Sequence, residues 1–434
     1  MNRATEAGHC HAQMALLDYE AAVGQVVRGQ DARSHTPPFL SATMLVVRLL
    51  TRFIYTLLMV SGVIMTVAAA FVLPIDFGEF MRSGEKALGG QNPYELSNPF
   101  VILGQSFVNV NTNAPPSLLL FAPLSLIDSL TAVRIFIVAT FFAYILGCVM
   151  LIIEYRECHK SSRLLWLAAF GPLWVTTHNG QVYGILLLLT VTGWVLLRHR
   201  ADLAAGLVIG ILIAIKPIFI TWPLLLLLGG NKRTALVAGI SMLWLAILAG
   251  MLFGFDVFSA WIMAQRVVAM EQLWWPTNGS LVGLGARTLA PMAGFVLSGA
   301  VALALAALVL ARLPSRETTS GLGLVGALVM APVAGPGYGM FLLPILLSRP
   351  WSPTLLAAAS LLLAPWSVMW PLANSSLSSI AVVVYTAPPL LVLATLVRQA
   401  WRGDAVATET SAPRFTALFG DCCRREVRER SCPG

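Results

Sequence analysis

Long apolar runs alternate with short polar segments from residue 44 to residue 398. At 1.5 Å per helical residue, runs such as 46–73 or 234–253 are long enough to cross about 30 Å of hydrocarbon. They are continuous rather than alternating, which argues against a β-barrel. The pattern predicts an all-α, polytopic helical membrane protein of about 12 transmembrane helices. The predicted spans are 46–73, 129–153, 163–177, 182–197, 203–215, 218–228, 234–253, 292–311, 321–334, 340–347, 354–370 and 380–397. A large first outer loop occupies residues 75–113. The next segment, 114–127, is apolar but short and holds Pro115, Pro116 and Pro123. It predicts a re-entrant or interfacial helix, or the broken start of the following span.

Composition agrees with this pattern. Hydrophobic residues make up 57% and charged residues 11%, with a mean hydropathy of +0.79. A soluble domain carries about 25% charged residues. The net charge of +8 follows membrane topology and not nucleic-acid binding. Placing the N-terminus inside puts most of the 28 Lys and Arg residues on the cytoplasmic side. Arg82, Lys86, Arg134, Lys216, Arg266 and Arg287 are left for the outer side. Both termini are then expected in the cytoplasm. Residues 1–43 read as a disordered cytoplasmic tail without a signal-peptide core, unless the chain starts at Met44. Residues 44–398 form the membrane domain, and 399–434 a basic cytoplasmic tail. The six cysteines, Cys10, Cys148, Cys158, Cys422, Cys423 and Cys432, have no CxxC spacing and suggest neither a metal site nor a disulfide framework.

In this frame the polar motifs that topology does not explain fall on the outer side. Asp76 and Glu79 follow Pro74 at the end of the first span. Asp76 reads either as a cap for a short helix or as a carboxylate whose pKa is lifted toward that of a general base. Glu79 shares its helical face. A GGQNPY turn ends the segment at Tyr94. The amides of Asn111 and Asn113 precede the proline-broken segment. His178-Asn179-Gly180-Gln181 is a tight turn whose Gln181 enters the membrane and needs a partner, either a ligand or another helix. Lys216, before Pro217, places a cation within apolar sequence. It either snorkels to the interface or meets an anion such as a phosphate. The segment 271–287 carries Trp274, Trp275, Asn278, Ser280 and Arg287. It suits an interfacial anchor, or a site that stacks on a sugar and binds hydroxyls or phosphate.

These residues resemble the bacterial polyprenyl-phosphate-sugar-dependent glycosyltransferases of the membrane α-(1→2) mannosyltransferase type, glycosyltransferase family 87 of the GT-C superfamily. The carrying features are the Asp76 loop with its GGQNPY turn, PPSLLLFAPL, and the block from Gly180-Gln181 through Arg198 to Lys216-Pro217. NGSLVGL, which starts at Asn278, also fits. The resemblance covers residues 46–398. It implies a GT-C-like fold and gives Asp76 the role of general base. A family motif with Trp and His is replaced here by APVAGPGY (331–338), where Tyr338 stands in its place.

The implied activity is transfer of a hexose (mannose first) or a pentose from a polyprenyl-phosphate donor to a hydroxyl of a glycolipid or glycan. The expected location is the outer, periplasmic face of a bacterial inner membrane. Lys216, Arg287 and Arg266 are the expected ligands of the donor phosphate. Gln181, Asn179, His178, Asn278, Trp275, Tyr338 and Glu79 are the expected ligands of sugar or acceptor. No metal or other cofactor is required, and membrane lipid is the other partner. The competing reading is a polytopic transporter or lipid flippase. No internal repeat supports it, and the polar motifs lie on one face.

Overall fold

A computed structural model describes residues 38–71, 74–96, 100–102, 105–107, 110–155 and 161–403. Most of the two expected tails, and Cys10, Cys158, Cys422, Cys423 and Cys432, lie outside the described residues; Cys148 is buried. Residues up to Ile54 form one unit and those from Tyr55 onward another. The described part of the first unit is the start of helix α1 (Pro38–Ala69). That helix begins inside the stretch expected to be a tail. Everything below concerns the second unit.

Pro74, with extended backbone, starts α2 (Ile75–Leu88). Its apolar positions recur at Phe77, Phe80, Met81, Gly84 and Ala87, the spacing of one helical face, and all are buried. Asp76 lies in its first turn, where the helix dipole favours a carboxylate. The segment that follows also holds an antiparallel hairpin that the apolar pattern does not predict. It pairs β1 (Phe100–Ile102) with β2 (Gln105–Phe107). A 3-10 turn at Pro115–Ser117 leads into the short α3 (Leu118–Leu124). This is the broken segment that the three prolines predict. Its entry is tied to the membrane helices by a bond from Ala114 N–H to Ile215 C=O (3.0 Å).

Helix α4 (Ser129–Glu154) starts at an Asp128 cap that accepts from Thr131 N–H. The apolar run that follows is split in two, α5 (Ser161–Ala168) and α6 (Gly171–Asn179), with Pro172 in the first turn of α6. Helix α7 (Tyr183–Arg198) returns, then α8 (Asp202–Ile215). Lys216-Pro217 breaks that run into a 3-10 turn (Pro217–Ile220) and α9 (Thr221–Leu228). Next come α10 (Lys232–Phe253), α11 (Asp256–Gln272), α12 (Leu281–Thr288), α13 (Pro291–Arg312) and α14 (Arg316–Met330). A 3-10 segment (Pro336–Leu342) continues as α15 (Leu343–Leu347). Helices α16 (Pro353–Leu361) and α17 (Trp366–Ala373) form a pair bent by 79°, and α18 (Ser378–Arg402) closes the described chain.

By length and composition, five helices are able to cross a membrane: Leu49–Ala69 of α1, α4, α10, α13 and α18. The bent pair makes a sixth. Twelve spans were expected. The difference lies in the short apolar runs, which fold as helices of 8–16 residues broken at Pro172 and Pro217. The 14 residues of α8 reach only about 21 Å. Several apolar helices with polar ends nonetheless make this a membrane protein.

Charge is segregated along the helices. At the Arg198 end of α7, Arg198 pairs with Glu154 (2.6 Å) and with Glu317, and His199 meets Glu154 at 3.0 Å. Arg316 pairs with Asp202 at the start of α8 (2.5 Å). The Tyr183 end of α7, about 24 Å away, faces a cavity instead.

Candidate active site

The cavity encloses about 530 Å³, within the ~300–1,000 Å³ range of small-molecule sites. Eight of the eleven predicted site residues line it: Asp76, His178, Asn179, Gln181, Lys216, Trp275, Asn278 and Tyr338. They come from α2, the α6–α7 turn, the α8 break, the loop after α11, and the 3-10 segment after α14. The chain breaks that shorten the helices are therefore the places that deliver polar side chains to the cavity.

Asp76 is held from across the site. The Gln181 side-chain amide donates to Asp76 Oδ2 at 2.5 Å. The turn between α6 and α7 permits this contact. Gly180 ends α6 in the left-handed region (φ +68°), and Gln181 N–H returns to Thr176 C=O at 2.9 Å. A Cβ on Gly180 would lie 2.6 Å from Phe77 Cβ, so the turn and α2 touch backbone to side chain. Removal from bulk water lifts the Asp76 carboxyl to about 6. The Gln181 bond and the Lys216 charge oppose that rise, and Glu79 adds to it.

Lys216 is 4% exposed and sits at the carboxyl end of α8, where exposed carbonyls favour a cation. Its ammonium donates to Asn113 Oδ1 (3.0 Å) and Thr112 Oγ1 (3.4 Å). The rings of Tyr183 and Tyr338 stand 5.5 and 5.7 Å from it. Asn111 in turn accepts from Asn113 N–H and from its side-chain amide, and Tyr94 O–H donates to Asn113 C=O. Among the described residues no carboxylate lies within 4.0 Å of Lys216. The ammonium is thus oriented by neutral groups, and its charge is left for something in the cavity.

Asn278 lines the cavity, but its amide is used by the backbone. It donates to Pro332 C=O (3.0 Å) and accepts from Ala334 N–H (3.0 Å) and Ser280 N–H (3.2 Å). It thereby locks the loop after α11 to the loop after α14. Three predicted residues stand apart from the cavity. The Arg287 guanidinium donates to Trp275 C=O (2.5 Å) and Asn278 C=O (2.8 Å), closing the same loop from behind. Arg266 is exposed on α11. Glu79 is directed at Arg82, 3.9 Å away, one turn along α2. None of these three, expected to reach donor or acceptor, lines the cavity.

Sequence reasoning did not identify Trp261, Gln265, Gln272, Thr277, Trp366 and Trp370, which also line the cavity. On α17, Trp366 and Trp370 are spaced i, i+4 directly after an Ala-Pro break. That signal was legible in principle. Trp261, Gln265 and Gln272 recur along one face of α11. Their phase toward the cavity depends on tertiary packing.

No curated protein and no solved structure is detectably similar to this chain. Residues 111–336 match the sequence profile of glycosyltransferase family 87. The matched stretch includes Gln181, Lys216 and Asn278 but not Asp76, which the fold adds to it through the Gln181 bond. With more than half of its length matched, and with apolar helices enough to hold it in a bilayer, the chain belongs to glycosyltransferase family 87 and is a membrane glycosyltransferase.

Proposed function

We propose that this protein moves a sugar from a polyprenyl-phosphate donor to a hydroxyl of a glycolipid or glycan at the outer face of a bacterial inner membrane. The sugar is a hexose, mannose first, or a pentose, and the fold is GT-C-like with both termini cytoplasmic. The observation that carries the reading is that Asp76 and Lys216 line the same cavity. A base and a cation held by neutral groups are the two groups that displacement of a sugar phosphate requires.

In this mechanism Lys216 binds the donor phosphate. Asp76, held at Oδ2 by Gln181, takes the acceptor proton on its other oxygen. The acceptor oxygen bonds to the anomeric carbon as the bond from that carbon to the phosphate oxygen breaks. The phosphate departs with the electron pair, its charge balanced by Lys216. A single displacement inverts the anomeric centre. Gln181 acts here on Asp76 rather than on the sugar, and Tyr338 flanks the ammonium.

The test is transfer from a lipid-phosphate sugar by protein in detergent, with Asp76→Asn beside it. Transfer without a sealed vesicle separates an enzyme from a transporter or flippase. Undiminished transfer by Asp76→Asn removes Asp76 from its role.

A further inference from the structure

The bent pair α16–α17 presents two indoles to the cavity. Its elbow rests on the start of α6. Gly171 N–H donates to Leu362 C=O (3.0 Å), and a Cβ on Gly171 would lie 2.7 Å from Ala364 O. From that seat α17 buries Met369 and Ala373 against Ala381 and its neighbours on α18. The adjacent stripe, Trp366 and Trp370, is only partly buried and lines the cavity. The two rings lie 5.1 Å apart at 38°. Their surroundings differ from those of the tryptophans that serve packing. Trp166, Trp174, Trp194 and Trp351 all donate their indole N–H to a protein acceptor, with Trp222 and Trp261 as exceptions. Among the described residues neither Trp366 nor Trp370 has such an acceptor.

The remaining lining has a particular chemistry. Among the described residues, Asp76 and Lys216 are the only Asp, Glu, Lys or Arg residues in it. Several neutral polar groups in it are unengaged. The side chains of Asn179, Gln272 and Thr277 line the cavity and have no hydrogen-bond partner among the described residues. Paired indoles beside free amides and a hydroxyl suit a ligand with an apolar ring face and a rim of neutral hydroxyls. A hydrocarbon tail would leave those amides unpaired, at a cost of ~1–3 kcal/mol each.

We infer that Trp366 and Trp370 form the acceptor platform, on which a saccharide ring stacks while Asn179, Gln272 and Thr277 bind its hydroxyls. This rests on the transfer reading given above and names the acceptor as a sugar unit, not a lipid or protein hydroxyl.

The test is saturation-transfer difference NMR on the full chain in lipid nanodiscs. The probes are the methyl glycosides of mannose, glucose, galactose and arabinose. At least one glycoside should receive saturation, strongest at its ring C–H protons. The signal should fall at least fivefold in Trp366→Leu/Trp370→Leu and be largely retained in Trp366→Phe/Trp370→Phe. It should be unchanged in Trp244→Leu, an exposed residue outside the cavity. Should the double Leu variant fail to fold, Thr277→Val and Gln272→Leu each test the same site, with a several-fold loss expected. Dodecyl phosphate, which mimics the donor's lipid phosphate without a sugar, should leave the signal in place. Displacement by it would assign the ring to the donor and overturn the acceptor platform. So would the absence of saturation from all four glycosides, or a signal unmoved by the Leu substitutions. Loss of transfer in Asp76→Asn alongside such a result would overturn the platform alone and leave the transfer reading standing.

Discussion

The side-chain amide of Gln181 donates to Asp76 Oδ2 at 2.5 Å across a gap of 105 residues. That one bond joins helix α2 to the family-matched stretch, and it leaves the other carboxylate oxygen free of Gln181.

It carries a pH prediction. Burial places the Asp76 carboxyl at about 6, above its ordinary value of 3.8. A general base works in its ionised form, so transfer should be level above pH ~7. It should then fall as pH drops through 6, approaching tenfold per pH unit. Gln181 stabilises the carboxylate. Gln181→Leu should therefore move the acid limb to higher pH, and Gln181→Glu should abolish the plateau by placing a second carboxylate beside Asp76. Initial rates across pH 5–8 check both.

Gly180→Ala should disturb the site at one remove. The left-handed backbone costs a side chain ~1–2 kcal/mol, and its Cβ would press on Phe77. The expected outcome is a lower unfolding temperature with a ten- to hundredfold loss of rate. The acid limb should shift too, because displacing α2 lengthens the Asp76–Gln181 bond. Unfolding and pH-rate measurements on the same sample test this.

Lys216→Met should act on the donor. Hydrogen bonds to charged groups are worth ~1.5–3 kcal/mol, so the KM for a lipid-phosphate sugar should rise about 10- to 100-fold. The KM for acceptor should move little. An unchanged donor KM and rate would refute the phosphate assignment.

Arg287 and Asn278 should behave as structural residues. Arg287→Met removes donors from the carbonyls of Trp275 and Asn278, and Asn278→Leu unties two loops from each other. Each should cost about 1–3 kcal/mol of stability, read as a fall in unfolding temperature. Donor KM should change less than in Lys216→Met.

These predictions also mark how far the chain could be read directly. Apolar run length sufficed for the membrane class, because hydration of a 20-residue apolar helix admits no other solution. Asp76, Gln181 and Lys216 stood out because each is expensive where it lies, at a membrane edge or within an apolar run. Their meeting in one cavity depends on helix phase and tertiary packing, which local sequence does not record. The same limit holds for the three residues that lie outside the cavity lining. Arg287, Arg266 and Glu79 have suitable chemistry, but only the folded chain shows that Arg287 closes a loop, that Arg266 is exposed and that Glu79 faces Arg82. Five or six helices pass the length test against twelve expected runs, since hydropathy measures composition and not the continuity that Pro172 and Pro217 interrupt. Trp366 and Trp370 were hidden in a run that reads as an ordinary span, because the 79° bend that turns them inward is a tertiary feature.

The central claim is that Asp76 and Lys216 act together in one transfer site. The most direct measurement is sugar transfer from a synthetic polyprenyl-phosphate sugar by purified protein in detergent, for wild type, Asp76→Asn and Lys216→Met. The account predicts transfer with inversion by wild type and a loss of at least a hundredfold in kcat for Asp76→Asn. It predicts a donor-KM defect for Lys216→Met. Full activity in Asp76→Asn, or transfer with retention of configuration, would contradict it.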